Sequence, residues 1–203
     1  MRILSLPSAG SDMESEEAPM RKVVASEIVS LDGVMESPEE WAFSYSNDEM
    51  EEANASGMAA SDALLLGRVT YETLAAFWPN QPGGTPMVDY INSVPKFVVS
   101  GTLEEPLEWN NSTLIEGDEF AEGIAELKRQ PGKDITTIGS GALFRSLLRD
   151  RLLDELRLMV HPIVLGIGKR LFEDGEERQA LELVDSKTFA TGVVVLTYEP
   201  ARD

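Results

Sequence analysis

The 203-residue sequence has no cysteine, one histidine, and far fewer basic than acidic side chains (Lys+Arg 17 against Asp+Glu 36). Without cysteine there are no disulfides, thiolate metal sites or cysteine nucleophiles. His161 alone cannot build a histidine-rich zinc site and argues against a serine–histidine dyad. The net charge of −19 disfavours nucleic acid and anionic membranes as partners. It would also repel an anionic cofactor unless the pocket carries a local positive potential. No apolar run approaches the ~20 residues that span a bilayer. The opening MRILSLPSAG, followed by SDMESEEAP, lacks the basic-then-apolar order of a signal peptide. No G-x-G-x-x-G follows the first strand, where a Rossmann dehydrogenase needs it. These absences lead us to expect a cytoplasmic protein that acts on a small molecule. Residues 1–20 are expected to form a flexible acidic tail and 21–203 a single domain, since a hydrophobic fraction of 42% is enough for a core.

From Arg21 the pattern becomes regular. Strands are predicted at Val23–Ser30, Ala63–Leu66, Lys96–Ser100, Thr113–Ile115 and Asp134–Ile138, and helices at 47–61, 70–77, 87–93 and 119–130. A further helix after Gly141 carries Leu143, Phe144, Leu147, Leu148 and Leu152 on one face. The character then changes: period-two alternation over 154–160 is followed by strand-like stretches at 181–184 and 192–198. Strand–helix alternation followed by strands implies an α/β fold, with a mixed, mostly parallel sheet flanked by helices and an antiparallel C-terminal portion.

Three strand ends share a composition suited to phosphate. Gly67-Arg68-Val69-Thr70 offers close approach, a forked cation, and a hydroxyl that could cap the next helix or bond a phosphate oxygen. Ser100-Gly101-Thr102 places two hydroxyls around a glycine. Gly139-Ser140-Gly141 opens a helix whose free N–H groups form an anion site. In an open α/β sheet all three belong to the ligand-binding edge.

The same residues carry a resemblance. Gly67-Arg68-Val69-Thr70-Tyr71-Glu72 and Ile138-Gly139-Ser140-Gly141-Ala142-Leu143 resemble the corresponding turns of dihydrofolate reductases. Ser30-Leu31-Asp32-Gly33 and the run from His161 to Phe172 are similar to the C-terminal reductase domain of riboflavin-biosynthesis proteins (RibD) and its stand-alone relatives. The likeness extends from about Arg21 to Tyr198. It implies a dihydrofolate-reductase-like three-layer fold that binds NADPH and passes hydride to a pterin-, pyrimidine- or sugar-derived substrate. Under it, Gly67, Arg68 and Thr70 face the adenosine phosphates. Ser100, Gly101 and Thr102 lie near the adenine ribose, and Gly139, Ser140, Gly141, Ala142 and Leu143 hold the pyrophosphate. No arginine follows Val99-Ser100, which leaves Arg68 alone against a 2′-phosphate and NADH open beside NADPH.

By position before the Leu66-Gly67 turn, Glu51 matches the carboxylate that dihydrofolate reductases place on their first helix. It also belongs to an acidic cluster that a solvated helix face explains. Asp32 is the second catalytic candidate and reads equally as a turn former before Gly33. Trp41, Tyr45 and Trp78 could wall a ring, whereas His161 reads as a core or sheet residue. The zinc-dependent deaminase half of bifunctional riboflavin enzymes is absent from this sequence. A non-catalytic nucleotide-binding or regulatory domain on the same fold is the alternative function. Leu181, Leu183, Val184 and Val193–Val195 suggest a homodimer through the C-terminal strands.

Overall fold

A computed structural model describes residues 20–175 and 177–201; the expected tail falls almost wholly outside the described residues. In chain order the elements are β1 (Val23–Ser30), α1 (Pro38–Trp41), α2 (Asp48–Ala60), β2 (Ser61–Gly67), α3 (Arg68–Phe77), α4 (Pro86–Ser93), β3 (Lys96–Ser100), β4 (Ser112–Glu116), α5 (Phe120–Arg129), β5 (Asp134–Ile138), α6 (Gly141–Arg149), β6 (Glu155–His161), β7 (Leu181–Thr188) and β8 (Val194–Pro200). They build one eight-stranded sheet in the order β4-β3-β2-β5-β1-β6-β8-β7. The ladders from β4 to β6 are parallel. Those joining β8 to β6 and to β7 are antiparallel. The α/β architecture expected from the pattern is therefore the one found.

Alternation along the strands fills both faces. Ala63 and Leu65 of β2 join Val23, Ala25, Ile124, Ile135, Phe144 and Leu147 in a core beneath α5 and α6. Leu64 and Leu66 point the other way, onto Tyr71, Ile91, Val98 and Trp109 under α3 and α4. Covering both faces of the parallel strands produces the near-continuous apolar runs VVA and ALLL.

Several boundaries differ from the expectation, each for a local reason. β2 extends to Ser61, whose Oγ donates to the carbonyls of Ala63 and Asp134. α3 begins two residues early, at Arg68, with Gly67 as its N-cap. Asn47 caps α2 by accepting the Met50 N–H, and Thr85 caps α4 by accepting that of Val88. α6 stops at Arg149, so Leu152 lies beyond the helix. β7 runs on to Thr188, beyond the 181–184 expected, and β8 is shifted to Val194–Pro200, because the two pair in one antiparallel ladder. No helix among the described residues is long and apolar enough to cross a membrane.

Candidate functional site

Because β4, β3, β2, β5, β1 and β6 run parallel, their carboxyl ends share one edge: Glu116, Ser100, Gly67, Ile138, Ser30 and His161 in spatial order. The three predicted turns thus become neighbours, although 73 residues separate Gly67 from Ser140 in sequence.

Hydrogen bonds tie the central turns together. The Gly67 N–H donates to Ser140 Oγ at 3.1 Å. The Thr70 hydroxyl donates to the Gly139 carbonyl at 2.9 Å. Thr70 therefore anchors one turn to the next rather than capping α3. Gly139 adopts a left-handed conformation (φ 61°), which glycine reaches without steric penalty. Gly141 has a different reason: a Cβ there would meet Met35 Sδ at 2.7 Å. So the first glycine answers to the backbone of the turn, and a side chain at the second would displace the end of Met35 packed on the helix start.

The donors in this turn are not all available. Gly139 N–H is taken from behind, donating to Glu27 Oε2 at 2.9 Å. The first helical bond, Phe144 N–H to Ser140 C=O, leaves Gly141, Ala142 and Leu143 as the first-turn N–H groups without an intrahelical acceptor. The Ser140 side chain does not cap them. The open N–H groups of this turn therefore lie at 141–143 rather than at 139–141. Leu143 itself is buried, so only its backbone N–H can serve.

Glu27 was not a candidate in the sequence, since a glutamate inside an alternating strand reads as solvent-facing. It is 1% exposed, and Oε1 has no hydrogen-bond partner. Burial pushes its carboxyl up to about 8, against the hydrogen bonds from the Gly139 and Ser140 backbone.

At the flank, Ser100 Oγ accepts the N–H groups of Thr102 and Leu103 at 3.1 and 3.0 Å. Its hydroxyl shapes the turn and leaves Gly101 facing open space. Arg68 is half-exposed and paired with Glu72 one turn on, at 3.1 Å.

The opposite flank carries the aromatic residues. His161 is fully buried, with Trp41 and Tyr45 edge-on at 5.4 and 5.5 Å. Burial holds its imidazole below the usual value, as suits a core residue. Trp78 packs instead with the α3–α4 core, away from this cluster.

Asp32 is occupied structurally. It accepts from Ser30 Oγ at 2.7 Å, Leu165 N–H at 3.1 Å and Gly166 N–H at 2.9 Å. These bonds, Ser30 first, hold its carboxyl down at about 2. It clamps the loop after β1 to the loop after β6, alongside the Leu31 N–H to Ile163 C=O bond. An acid held ionised in this way is a poor proton donor near neutral pH. Glu51 lies exposed in the first turn of α2. Its neighbour Glu49 is the one engaged, accepting the Ala190 N–H at 2.7 Å. A cavity of about 400 Å³ lined by Arg145, Phe172, Gln179 and Leu181, among others, contains none of the predicted site residues.

The RibD C-terminal domain family matches residues 21–195. The uncharacterized protein YyaP of Bacillus subtilis is 35% identical over 140 residues, 68% of this chain and 73% of that protein. A crystal structure of a protein assigned to riboflavin biosynthesis in Shewanella sp. PV-4 superposes with a TM-score of 0.70 at 25% identity. That match covers 89% of this chain and 99% of the Shewanella one. The Thermotoga maritima diaminohydroxyphosphoribosylaminopyrimidine deaminase/5-amino-6-(5-phosphoribosylamino)uracil reductase shares the fold, with a TM-score of 0.61 at 15% identity. Here 90% of this chain corresponds to 57% of the Thermotoga chain.

Proposed function

Since the chain belongs to the RibD C-terminal domain family, we propose that it is an NADPH-dependent reductase of the dihydrofolate reductase and riboflavin-biosynthesis type. The observation that carries this reading is the cradle at the shared strand ends. Gly67, Thr70, Gly139 and Ser140 are bonded into one surface, and the uncapped start of α6 opens beside it. The donor set fits a dinucleotide. First-turn N–H groups of Gly141, Ala142 and Leu143 suit a diphosphate, the Arg68 guanidinium suits a further phosphate, and Gly101 leaves room for a ribose.

A bound nicotinamide would supply hydride to a pterin-, pyrimidine- or sugar-derived acceptor. The protein's own part is to bind and orient. The α6 N-terminus offsets part of the phosphate charge in a chain of net charge −19. The loops after β1 and β6, clamped by Asp32, frame the end of the edge where Trp41 and Tyr45 lie. Arg68 must leave or share Glu72 to reach a phosphate; as an exposed i,i+4 pair, it is worth only about 0.3–0.5 kcal/mol.

Thermal unfolding with NADPH, NADH and NADP⁺ tests the reading. A ligand at 100 times its Kd adds ~2.7 kcal/mol, roughly 5–10 °C for a chain of this size. NADPH is expected to stabilise most, and Arg68→Ala to reduce the shift toward that of NADH. No shift with any of the three removes the proposal.

The engagement of Asp32 favours one second reading, a nucleotide-binding domain without turnover. Glu51 is the remaining carboxylate candidate for proton delivery. NADPH oxidation with pterin and pyrimidine acceptors, lost in Glu51→Gln, supports the enzyme; binding without oxidation supports the alternative. We also propose a homodimer through β7, the edge strand, where Leu183 and Val184 are 54% and 52% exposed. Exposed apolar strand edges invite pairing. Light scattering that finds a monomer at micromolar concentration rejects it.

A further inference from the structure

Glu27 stands directly behind the turn that opens the anion site. It shares a face of β1 with Val23, Ala25 and Val29, all in the core beneath α6. Among the described residues no cation pairs with it; its contacts are backbone N–H groups, that of Gly139 at 2.9 Å and that of Ser140. Its other oxygen, Oε1, is buried without a partner, and so is Thr137 Oγ1 on the adjacent strand. Thr137 registers with Ala25, so it lies one diagonal step from Glu27 on the same face.

We propose that Glu27 is a positioning residue that couples anion binding at the α6 N-terminus to a proton, admitting the anion when neutral and opposing it when ionised. This rests on the nucleotide reading of that site. The neutral carboxyl accepts the Gly139 N–H through Oε2. It thereby fixes the left-handed turn after which Gly141, Ala142 and Leu143 open the helix. Ionisation breaks only the carboxyl O–H bond and releases the proton to solvent. The charge left behind lies at the positive end of α6, where it neutralises the field that attracts a phosphate and repels the phosphate itself.

Burial places the transition near pH 8. The charged groups on the elements packed around Glu27 are engaged elsewhere or distant. On β6, Arg157 pairs with Glu155 at 2.6 Å, and His161 registers with Ser30, three residues on. On α6, Arg145 pairs with Glu173 and Arg149 with Asp150. Lys128 of α5 holds Asp154, and Asp134 of β5 starts its strand at the far end. In the loop after β1, Asp32 holds the Leu165 and Gly166 N–H groups.

Linkage requires that an anion favouring neutral Glu27 draw in a proton on binding. Calorimetric titration of NADPH into the full chain tests this at about pH 7, 8 and 9, in buffers of different ionisation enthalpy. For the wild type, proton uptake should rise toward one per NADPH above about pH 8, and affinity should fall by up to tenfold per pH unit. Glu27→Gln keeps a carbonyl acceptor for Gly139 and loses the titrating proton, so its affinity should be flat with no uptake. Lys96, also pushed toward 8 by burial, lies at the opposite end of the sheet and is common to both proteins. NADPH binding to the wild type without uptake, or equal uptake in Glu27→Gln, overturns the proposal and leaves the nucleotide reading standing. Failure of NADPH to bind either protein at any of these pH values overturns both.

Discussion

Lys96→Met is expected to destabilise the fold by about 2 kcal/mol, because it strips partly buried carbonyls of the donor they share. Lys96 is fully buried at the start of β3. Its ammonium donates to the carbonyls of Val94 at 2.9 Å, Asn110 at 3.3 Å and Asn92 at 3.4 Å. It also sits 4.4 Å from the centroid of the Trp109 ring. α4 has no basic residue in its last turn, so Lys96 supplies from the next strand the cation that a helix C-terminus favours. Burial pushes the ammonium down to about 8. Methionine fills similar volume and relieves the desolvation of the charge, but it takes this donor from the Val94 and Asn110 carbonyls, while that of Asn92 keeps Asn110 Nδ2 at 3.4 Å. Leaving a buried acceptor unsatisfied costs ~1–3 kcal/mol. Urea unfolding at neutral pH measures the difference, and a loss below about 1 kcal/mol would show that the carbonyls find other donors.

The second large effect is a pH dependence of stability. The folded protein raises Glu27 from 4.5 to about 8, so the native state holds a proton that the unfolded chain releases. The stability this group contributes is full below about pH 4.5 and declines as pH rises. It is lost once pH passes through about 8. The decline is ~1.4 kcal/mol per pH unit in that window, a total on the order of 3–5 kcal/mol for a shift of this size. Glu27→Gln removes the titration while keeping an acceptor for the Gly139 N–H. The variant should therefore gain on the wild type steadily between about pH 5 and 8. Self-repulsion in the acidic chain grows over the same range but cancels to first order in the comparison. Parallel stability curves for the two proteins would mean that Glu27 titrates near its ordinary value.

These two residues show how far the sequence could be read. Lys96 is the first residue of KFVVS and Glu27 lies within VVASEIVS; in both strings the charged residue looks like a solvent-facing break in an apolar strand. What hides Glu27 comes from far along the chain, whereas Lys96 is covered by the adjoining helix end and the loop that follows its strand. β1 is flanked by β5 and β6 and covered by α6, whose residues lie more than a hundred positions later. Lys96 is enclosed by the end of α4 and by Trp109. The partners of Asp32, like those of Glu27, are distant: Leu165 and Gly166 follow it by 133 and 134 positions. A turn former before Gly33 was legible from Ser30-Leu31-Asp32-Gly33, but its role as a clamp between two loops was not.

Local chemistry determined much about this protein without tertiary help. Strands show as apolar runs because both faces of a parallel sheet are covered. Helices show by their 3.6-residue spacing and by caps such as Asn47 and Thr85. The glycine turns show because strand ends in such folds must bend sharply. The RibD C-terminal family was recognisable from those turns and their order. The tertiary structure alone decided which polar groups remain free to act. Hydrogen bonds between strand ends assigned Thr70 to Gly139, Ser140 to Gly67 and Gly139 to Glu27, moving the open donors to Gly141, Ala142 and Leu143. The reason is physical: periodicity and capping depend on neighbours within a few residues, whereas burial and hydrogen-bond partners depend on residues the chain brings together only when the sheet assembles.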